Sequence, residues 1–404
     1  MKEFSIILFK TSLNLIRIEY FCLSNKGKVY IEMSDTRFFD DRLTYLSFVT
    51  TSNEKNVVAN EISSVIKSIS KEKAALRIFD AGIGDGSLLM NVIKNCHKEF
   101  PYIPFFVMAK EISIEDVRLA LEKLSDRFIE HPNMVFTITN LYFSEAASLQ
   151  SNNPKKQKKM KWNSLALEGN SSYEFNNQLT NIEDLLKDSW TIDEDPETHR
   201  ASYKNPSVLT IYRKDHENLV DRYIPNKGDD KKVFDLILAS QPYRSRTSEK
   251  KKVDFVIKPM IDILNKNGKL VIVHSCGNDS VSKVIKQLWP KENPYPTPAR
   301  AIIKYLKKTL PVRKLDDLVF HKPVRFGYKL KPIPDDNNSI ATSLFSAAWN
   351  NIVYVGQMNS DQINQAQEDG KYVEVIENLL EENDNTVHFN NEMFVIEKNR
   401  IFKP

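Results

Sequence analysis

Apolar residues in the first part of the chain follow two spacings, one typical of amphipathic helices and one of short buried strands. Over residues 56–69 they recur every three or four positions, which predicts a helix. The run at residues 76–80 is short and mostly apolar, which predicts a buried strand. The alternation continues with a helix at 88–96, a strand at 103–108, a helix at 114–128 and a strand at 134–138.

A long polar stretch, residues 141–232, interrupts this alternation. We expect a helix near residues 181–186 and a strand at 207–212 within it, because 92 residues is unusually long for a plain connection. The alternation resumes with strands at 233–238, 269–273, 352–355 and 393–396 and helices at 253–264, 281–288 and 372–380. The pattern predicts an α/β fold with a seven-stranded, Rossmann-like, mostly parallel sheet, helices on both faces, and an insertion between the third and fourth strands.

The composition is that of a globular protein and narrows the classes of partner. Among 404 residues, 57 Lys and Arg against 53 Asp and Glu leave a net charge of +4, which does not favour a nucleic-acid or membrane partner. Three widely spaced cysteines form neither a disulfide framework nor a zinc pattern, which favours a reducing, cytoplasmic compartment. The apolar segment 4–23 contains Lys10, Arg17 and Glu19, so we expect a surface extension rather than a membrane span, with Met33 as the natural start.

Three of the eleven glycines lie together directly after the first predicted strand. Gly82, Gly84 and Gly86 follow Asp80 and precede a helix, where their backbone can approach a ligand closely and adopt positive φ. Ser87 stands where a dinucleotide-binding fingerprint requires its last glycine, and the sequence contains no G-x-x-x-x-G-K-[ST] phosphate loop. The cluster therefore predicts a binding loop for a ligand other than a dinucleotide or a nucleoside triphosphate.

Glu111 ends the second predicted strand, where its carboxylate can accept hydrogen bonds from both hydroxyls of a ribose. The loop and this acid together predict a ligand with an adenosyl ribose and an amino-acid end. Residues 80–86, DAGIGDG, and 111–113, EIS, resemble the first two motifs of the class I S-adenosylmethionine-dependent methyltransferases. The resemblance covers residues 34–140 and 233–404 and implies S-adenosylmethionine as the cofactor.

The resemblance implies a role for each residue that matches the family pattern. Asp80 and the three glycines are expected to hold the methionine moiety, and Glu111 the ribose. Ile112, Asn140 and Ser240 complete the implied cofactor-binding set, with Asn140 standing where the family often has an acid that contacts adenine. The domains are an extension at 1–33, a cofactor-binding half at 34–140, an insertion at 141–232 and the second half of the methyltransferase domain at 233–404. Because the insertion leaves from the same strand ends as the acceptor site, our hypothesis is that it covers the acceptor pocket.

The acceptor site is expected after the fourth and fifth predicted strands. Gln241-Pro-Tyr243 departs from the Asn/Asp-Pro-Pro-Tyr of amine-methylating relatives, yet it still offers an amide and an aromatic ring to a nitrogen. His274 can take a proton from an acceptor, and Tyr142 can join the same site; an ordinary structural role is the alternative for both. Aromatic residues at 38–39 and 45–48 either cover the cofactor or pack in the core.

The last predicted strand carries a second resemblance. Residues 387–396 resemble the final strand of small-molecule amine methyltransferases, the family that includes histamine N-methyltransferase, in which a Gln also follows the fourth strand. We therefore expect direct methyl transfer to a small-molecule amine or thiol, without a metal or a membrane partner. A nucleic-acid or protein N-methyltransferase that uses the insertion for target recognition is a second hypothesis, disfavoured by the charge of +4, and a non-catalytic cofactor-binding protein is a third. The oligomeric state stays open.

Overall fold

The strands of the protein form one large sheet and one small hairpin. The computed structural model describes residues 42–194, 201–332 and 343–399, so the expectations for residues 1–33 and 38–39 lie outside the described residues. The strands are β1 (Leu76–Asp80), β2 (Phe105–Lys110), β3 (Met134–Thr139), β4 (Lys161–Leu167), β5 (Ile192–Glu194), β6 (Ala201–Tyr203), β7 (Ser207–Arg213), β8 (Phe234–Ser240), β9 (Leu264–Ser275), β10 (Leu318–Phe320), β11 (Val324–Lys329) and β12 (His388–Lys398). The sheet order is β10-β12-β9-β8-β1-β2-β3-β7-β4, and β11 also pairs with β12.

The helices are short, and none in the described ranges is long and apolar enough to cross a membrane. They are α1 (Arg42–Thr51), α2 (Glu54–Lys67), α3 (Ser87–Glu99), α4 (Ile114–Glu122), α5 (Ser125–Glu130), α6 (Phe143–Ala146), α7 (Pro154–Gln157), α8 (Ser172–Thr180), α9 (Glu183–Ser189), α10 (Glu217–Val220), α11 (Glu249–Lys252), α12 (Lys258–Ile261), α13 (Ser280–Leu288), α14 (Ala299–Thr309), α15 (Val312–Asp316), α16 (Leu344–Gly356), α17 (Ser360–Glu368) and α18 (Lys371–Glu382). A π-helical turn, Val253–Ile257, joins α11 to α12.

The centre of the sheet is parallel and buried on both faces, which confirms the predicted fold class. β1 pairs in parallel with β2 and β8, β2 with β3, and β8 with β9, whereas β12 runs antiparallel beside β9. One hydrophobic cluster packs α2, α3, α4 and α5 on one face, and a second packs α12 and α14 on the other. Helices that cover both faces explain why the central strands are almost continuously apolar.

Two predicted elements differ from the structure. Residues 352–355 lie inside α16 rather than in a strand, because a run of four apolar residues fits a buried helix as well as a strand. The predicted helix at 114–128 is divided into α4 and α5 at residues 123–124. The strand predicted at 352–355 is therefore not part of the sheet. The edge of the sheet beyond β12 is formed by β10 and β11, which pair with the same side of β12 one after the other.

Residues 141–232 enlarge the sheet, so that it has ten strands where the sequence pattern predicted seven. β7 pairs antiparallel with β3, and β4 pairs with the far side of β7. α8 packs against α4 and α5, and β5 and β6 form a separate hairpin. This segment therefore extends the edge of the sheet beyond β3.

Candidate functional site

A cleft of about 320 Å³ opens at the carboxyl ends of β1, β2, β8 and β9. Ligands bind at this end of parallel α/β sheets because loops and helix N-termini converge there. The predicted cofactor residues Gly82, Gly84, Glu111 and Ser240 and the predicted acceptor residue Gln241 all line the cleft. Sequence reasoning therefore identified both the location of the cleft and residues on two of its sides.

The glycine loop joins β1 to α3 and requires glycine at two positions. Gly84 and Gly86 have φ angles of +52° and +81°, in the left-handed region that favours glycine. A Cβ at Gly86 would lie 2.9 Å from the Cα of Ala120 in α4, so the loop packs directly against that helix. A Cβ at Gly82 would have no protein atom within 4 Å, because this glycine faces the open cleft.

Asp80 lies under the loop with its side chain buried. Its Oδ1 accepts a hydrogen bond from the backbone N–H of Gly82 at 3.0 Å. Burial raises the pKa of Asp80 to about 7, and the nearby Glu111 carboxylate acts in the same direction, whereas the Gly82 N–H and Lys55 oppose the rise. A positively charged ligand group above the loop would favour the ionised form of this carboxyl.

The carboxylate of Glu111 is held by three backbone N–H groups. Oε1 accepts from Ile112 and Ser113 at 2.8 and 3.0 Å, and Oε2 accepts from Gly84 at 3.0 Å. Ile112 thus acts here through its backbone. Trp190, which is buried at the end of α9, donates from Nε1 to the carbonyl oxygen of Glu111 at 2.9 Å. Through Trp190, the insertion therefore helps to hold the backbone of Glu111 in place.

Helix α1 lies over the glycine loop, and sequence reasoning did not identify its polar contacts. Arg42 forms an ion pair with Asp116 of α4. The hydroxyl of Tyr45 accepts from the N–H of Asp85 at 3.1 Å and lies 3.3 Å from its Oδ1. Burial raises the pKa of Asp116 to about 7, Glu111 adds to the rise, and Arg42 opposes it. These contacts close one side of the cleft.

A polar floor lies on the β8 side of the cleft and consists of Glu54, Gln241 and Ser275, which line the cleft, and the buried Asn391, which contacts them. The Gln241 Nε2 lies 3.2 Å from Ser275 Oγ, 3.3 Å from Asn391 Oδ1 and 3.4 Å from Glu54 Oε1. Asn391 Nδ2 donates to the same Glu54 oxygen at 3.1 Å. Gln241 has a φ of +49°, and such strained backbone is often retained at functional sites.

An aromatic wall stands beside the polar floor. The ring of Phe48 lies 4.8 Å from that of Tyr354 and 6.3 Å from that of Tyr328, and all three residues line the cleft. The hydroxyl of Tyr328 is buried and has no hydrogen-bond partner among the described residues, and the same holds for the hydroxyl of Ser240. A buried polar atom left without a partner is costly, so both hydroxyls indicate positions where a ligand supplies one.

His274 and Tyr243 lie behind the floor rather than in the cleft lining. The Tyr243 hydroxyl lies 2.7 Å from His274 Nδ1, and His274 Nε2 lies 2.8 Å from Glu392 Oε1. Burial lowers the pKa of His274, although the hydrogen bond to Glu392 opposes this shift. This chain of contacts supports the end of β9 from beneath. It does not present a base to the cleft.

Asn140 and Tyr142 also lie outside the lining, as do the predicted cofactor residues Asp80, Gly86 and Ile112. The Asn140 side chain is buried, where Nδ2 donates to the Asn205 carbonyl at 2.9 Å and Oδ1 accepts from the Ser207 N–H at 2.8 Å. Tyr142 is exposed, and its ring lies 4.9 Å from that of Tyr203. Asn140 thus joins the insertion to the end of β3. Phe143, the residue after Tyr142, lines the cleft in place of Tyr142.

Some of the residues that the sequence analysis missed carried a usable signal. Asn391 lies within residues 387–396, which carried the resemblance to amine methyltransferases. Glu54 and Lys55 begin the helix that precedes the glycine loop, and nothing in a helix N-terminus distinguishes a ligand-binding acid from one that stabilises the helix. Within the described ranges, no cluster of three or more His, Cys, Asp or Glu residues could hold a metal ion.

Among known proteins, this chain is similar to several solved structures. No family model matches the sequence, and no curated protein does. A Listeria monocytogenes protein provisionally named a class I S-adenosylmethionine-dependent methyltransferase has a TM-score of 0.32 and 7% identity, covering 86% of this chain and 61% of that one. Haemonchus contortus phosphoethanolamine N-methyltransferase 2 has a TM-score of 0.31 and 11% identity, covering 91% and 61%. The rRNA methyltransferase AviRa from Streptomyces viridochromogenes has a TM-score of 0.24 and 13% identity, covering 54% and 72%. At these TM-scores the similarities assign neither a family nor an acceptor.

Proposed function

We propose that this protein transfers a methyl group from S-adenosylmethionine to a small-molecule amine. The observation that carries the proposal is the meeting of two different surfaces in one cleft. The glycine loop and Glu111 form one side, and the polar floor with the aromatic wall forms the other. The first side suits a donor with a ribose and an amino-acid end, and the second suits a nitrogen acceptor.

The residues on the donor side fit S-adenosylmethionine. The open space above Gly82 admits a ligand close to the backbone, and the buried Asp80 carboxyl beneath it suits the α-ammonium group of the donor. Glu111 Oε2 has accepting capacity beyond its bond to Gly84, which suits a ribose hydroxyl. The hydroxyl of Ser240 offers a further polar contact at the end of β8.

The acceptor side favours an amine over a thiol. Glu54 lines the cleft and its Oε2 accepts no hydrogen bond from the described residues, so an amine has an N–H group to donate to it. A thiol is a weaker hydrogen-bond donor to this carboxylate than an amine is. The rings of Phe48 and Tyr328 also favour the positive charge that develops on a neutral amine nitrogen as it accepts the methyl group.

When bound, the donor supplies an electrophilic methyl group on a sulfonium. The protein residues align the acceptor nitrogen with that methyl group and exclude water, which are the main contributions expected for a direct displacement. The nitrogen lone pair forms the new N–C bond as the S–C bond breaks and its electron pair returns to sulfur. The carboxylate of Glu54 is the group placed to accept the proton that the methylated nitrogen then loses.

Transfer of a labelled methyl group tests this proposal. Purified protein is incubated with methyl-tritiated S-adenosylmethionine and separate panels of small amines, small thiols, RNA and protein. We expect label in the amine panel. Label in RNA or protein alone would support the second hypothesis from the sequence, and binding of the donor without transfer to any panel would support the third.

The Gln241→Ala variant tests the assignment of the two sides. We expect unchanged affinity for S-adenosylhomocysteine and methyl transfer slowed by about tenfold or more, because the side chain aligns the acceptor and not the donor. Gln365→Ala, on the exposed face of α17, is the matched control and should leave both quantities unchanged. A normal transfer rate in Gln241→Ala would show that the acceptor does not bind at the polar floor.

A further inference from the structure

An ion pair lies between the donor and acceptor sides of the cleft. Lys55 Nζ lies 3.0 Å from Glu54 Oε2, and the two side chains are 18% and 1% exposed. Both residues belong to the first turn of α2, and both line the cleft. The pair is therefore formed by groups that a ligand in the cleft can reach.

The two members of the pair face different sides. Glu54 Oε1 belongs to the polar floor through its contacts with Asn391 and Gln241. The positive charge of Lys55 acts instead on the glycine loop, where it opposes the rise in the pKa of Asp80 and adds to the lowering of the pKa of Asp85. Burial is the largest single effect on Lys55 and lowers its pKa, but the Glu54 carboxylate, together with Tyr354 and Asp85, holds the pKa of Lys55 above its ordinary value.

Two other cations line the cleft but are placed differently. Arg42 forms an ion pair with Asp116 on the α1 side. Lys110 ends β2, and its Nζ lies 4.9 Å from the ring centre of Phe143. Lys55 is the lining cation that is paired with a group of the acceptor side, and it lines the same cleft as Gly82.

We propose that Lys55 binds the carboxylate of the donor, and that in doing so it leaves Glu54 free to bind the acceptor amine. This inference rests on the proposed function. A buried carboxylate that loses its cation is unfavourable, so Glu54 then favours the positively charged or hydrogen-donating nitrogen of an acceptor. Donor binding thereby increases the affinity for the acceptor, and by linkage the acceptor increases the affinity for the donor by the same factor. The donor is expected to bind first.

Binding of two ligands to variants of the pair tests this inference without any acceptor. S-adenosylhomocysteine carries the carboxylate, whereas 5′-methylthioadenosine shares the adenosine and thioether but lacks the amino-acid end. Calorimetry on Lys55→Met should show affinity for S-adenosylhomocysteine reduced by about tenfold or more, as expected for a lost charge-assisted hydrogen bond, and nearly unchanged affinity for 5′-methylthioadenosine. Lys55→Arg should retain most of the wild-type affinity for the first ligand.

The Glu54→Gln variant is expected to change the affinity for S-adenosylhomocysteine in the opposite direction to Lys55→Met. Removing the charge of an acceptor-side residue releases Lys55, so affinity for S-adenosylhomocysteine should increase about threefold or more, whereas 5′-methylthioadenosine should bind as before. The gain should disappear in the double variant with Lys55→Met, which shows that it acts through Lys55. Thermal unfolding checks that each variant is folded; if Glu54→Gln does not fold, the two Lys55 variants still decide the matter.

The outcomes separate this inference from the proposed function. Absence of binding of both ligands to the wild-type protein would overturn the proposed function and the inference with it. Normal binding with a Lys55→Met variant that treats both ligands alike would overturn the inference only. Lys110→Met is the matched control for loss of a lining cation. If Lys110→Met lowers the affinity for S-adenosylhomocysteine relative to 5′-methylthioadenosine and Lys55→Met does not, the carboxylate binds at Lys110 and the inference is wrong.

Discussion

The three glycines of the loop should respond differently to alanine, because each added methyl group would meet different surroundings. At Gly82 nothing in the protein lies within 4 Å of the new Cβ, and the methyl group would project into the cleft. Gly82→Ala should therefore change the free energy of unfolding by less than about 0.5 kcal/mol, the range typical of substitutions without a packing consequence. Its affinity for S-adenosylhomocysteine should fall about tenfold or more, since the methyl group occupies ligand space.

The other two glycines provide the comparison. Gly84→Ala combines a left-handed backbone, which costs about 1–2 kcal/mol, with displacement of the Tyr45 hydroxyl from Asp85, about 1 kcal/mol for a hydrogen bond. Its free energy of unfolding should fall by about 2–3 kcal/mol. In Gly86→Ala the new Cβ would lie 2.9 Å from the Cα of Ala120, and that atom cannot move unless helix α4 moves with it. The free energy of unfolding of this variant should therefore fall by at least as much as that of Gly84→Ala.

Urea unfolding measures the stability of each variant, and calorimetry with S-adenosylhomocysteine measures the affinity. The informative result is the separation of the two quantities in Gly82→Ala, which is expected to be stable and yet to bind poorly. Wild-type affinity in Gly82→Ala would show that no ligand lies against the glycine loop, and the proposed donor site would then be wrong. A large loss of stability in this variant would show that the space above Gly82 is not open.

Two further predictions concern the carboxyl groups on the donor side. Because burial raises the pKa of Asp80 to about 7, its charge develops as pH rises through that value, so calorimetry should show the affinity for S-adenosylhomocysteine increasing several-fold from about pH 5.5 to about pH 7.5. Asp80→Asn should abolish this increase, and an increase that persists in the variant would contradict the assignment. Trp190→Phe removes the donor to the Glu111 carbonyl, so we expect stability lower by about 1–3 kcal/mol in urea and weaker binding of adenosine-containing ligands; unchanged affinity would show that the insertion does not position Glu111.

The donor side was largely predictable because short-range sequence patterns determine it. A buried strand, a glycine cluster and the next helix follow one another directly, and Glu111 reaches Gly84 over only 27 residues. The polar floor was not predictable in the same way, because Glu54 and Asn391 are 337 residues apart and meet through the antiparallel insertion of β12 beside β9. No periodicity in either segment encodes that contact.

Side-chain direction explains other differences between the predicted site residues and the residues that line the cleft. His274 was placed at the end of β9, but successive side chains of a strand point to opposite faces, and it is Ser275 that lines the cleft. Asn140 was placed at the end of β3, but the insertion pairs β7 with that strand and uses both groups of the Asn140 amide. The sequence indicated the strand ends at which the cleft lies, whereas the neighbouring strand or the alternation of faces decided which side chain lines it.

The two sides of the cleft therefore depend on the fold to different extents. The glycine loop and Glu111 require β1, β2 and the start of α3, which are close in sequence. The floor requires α2, β8, β9 and β12 together, because Glu54, Gln241, Ser275 and Asn391 come from four separate elements. Since β12 is the last strand of the sheet among the described residues, the proposed acceptor site depends on completion of the whole sheet, whereas the glycine loop depends mainly on local order. A cation shared between the sides, as proposed for Lys55, links these two parts.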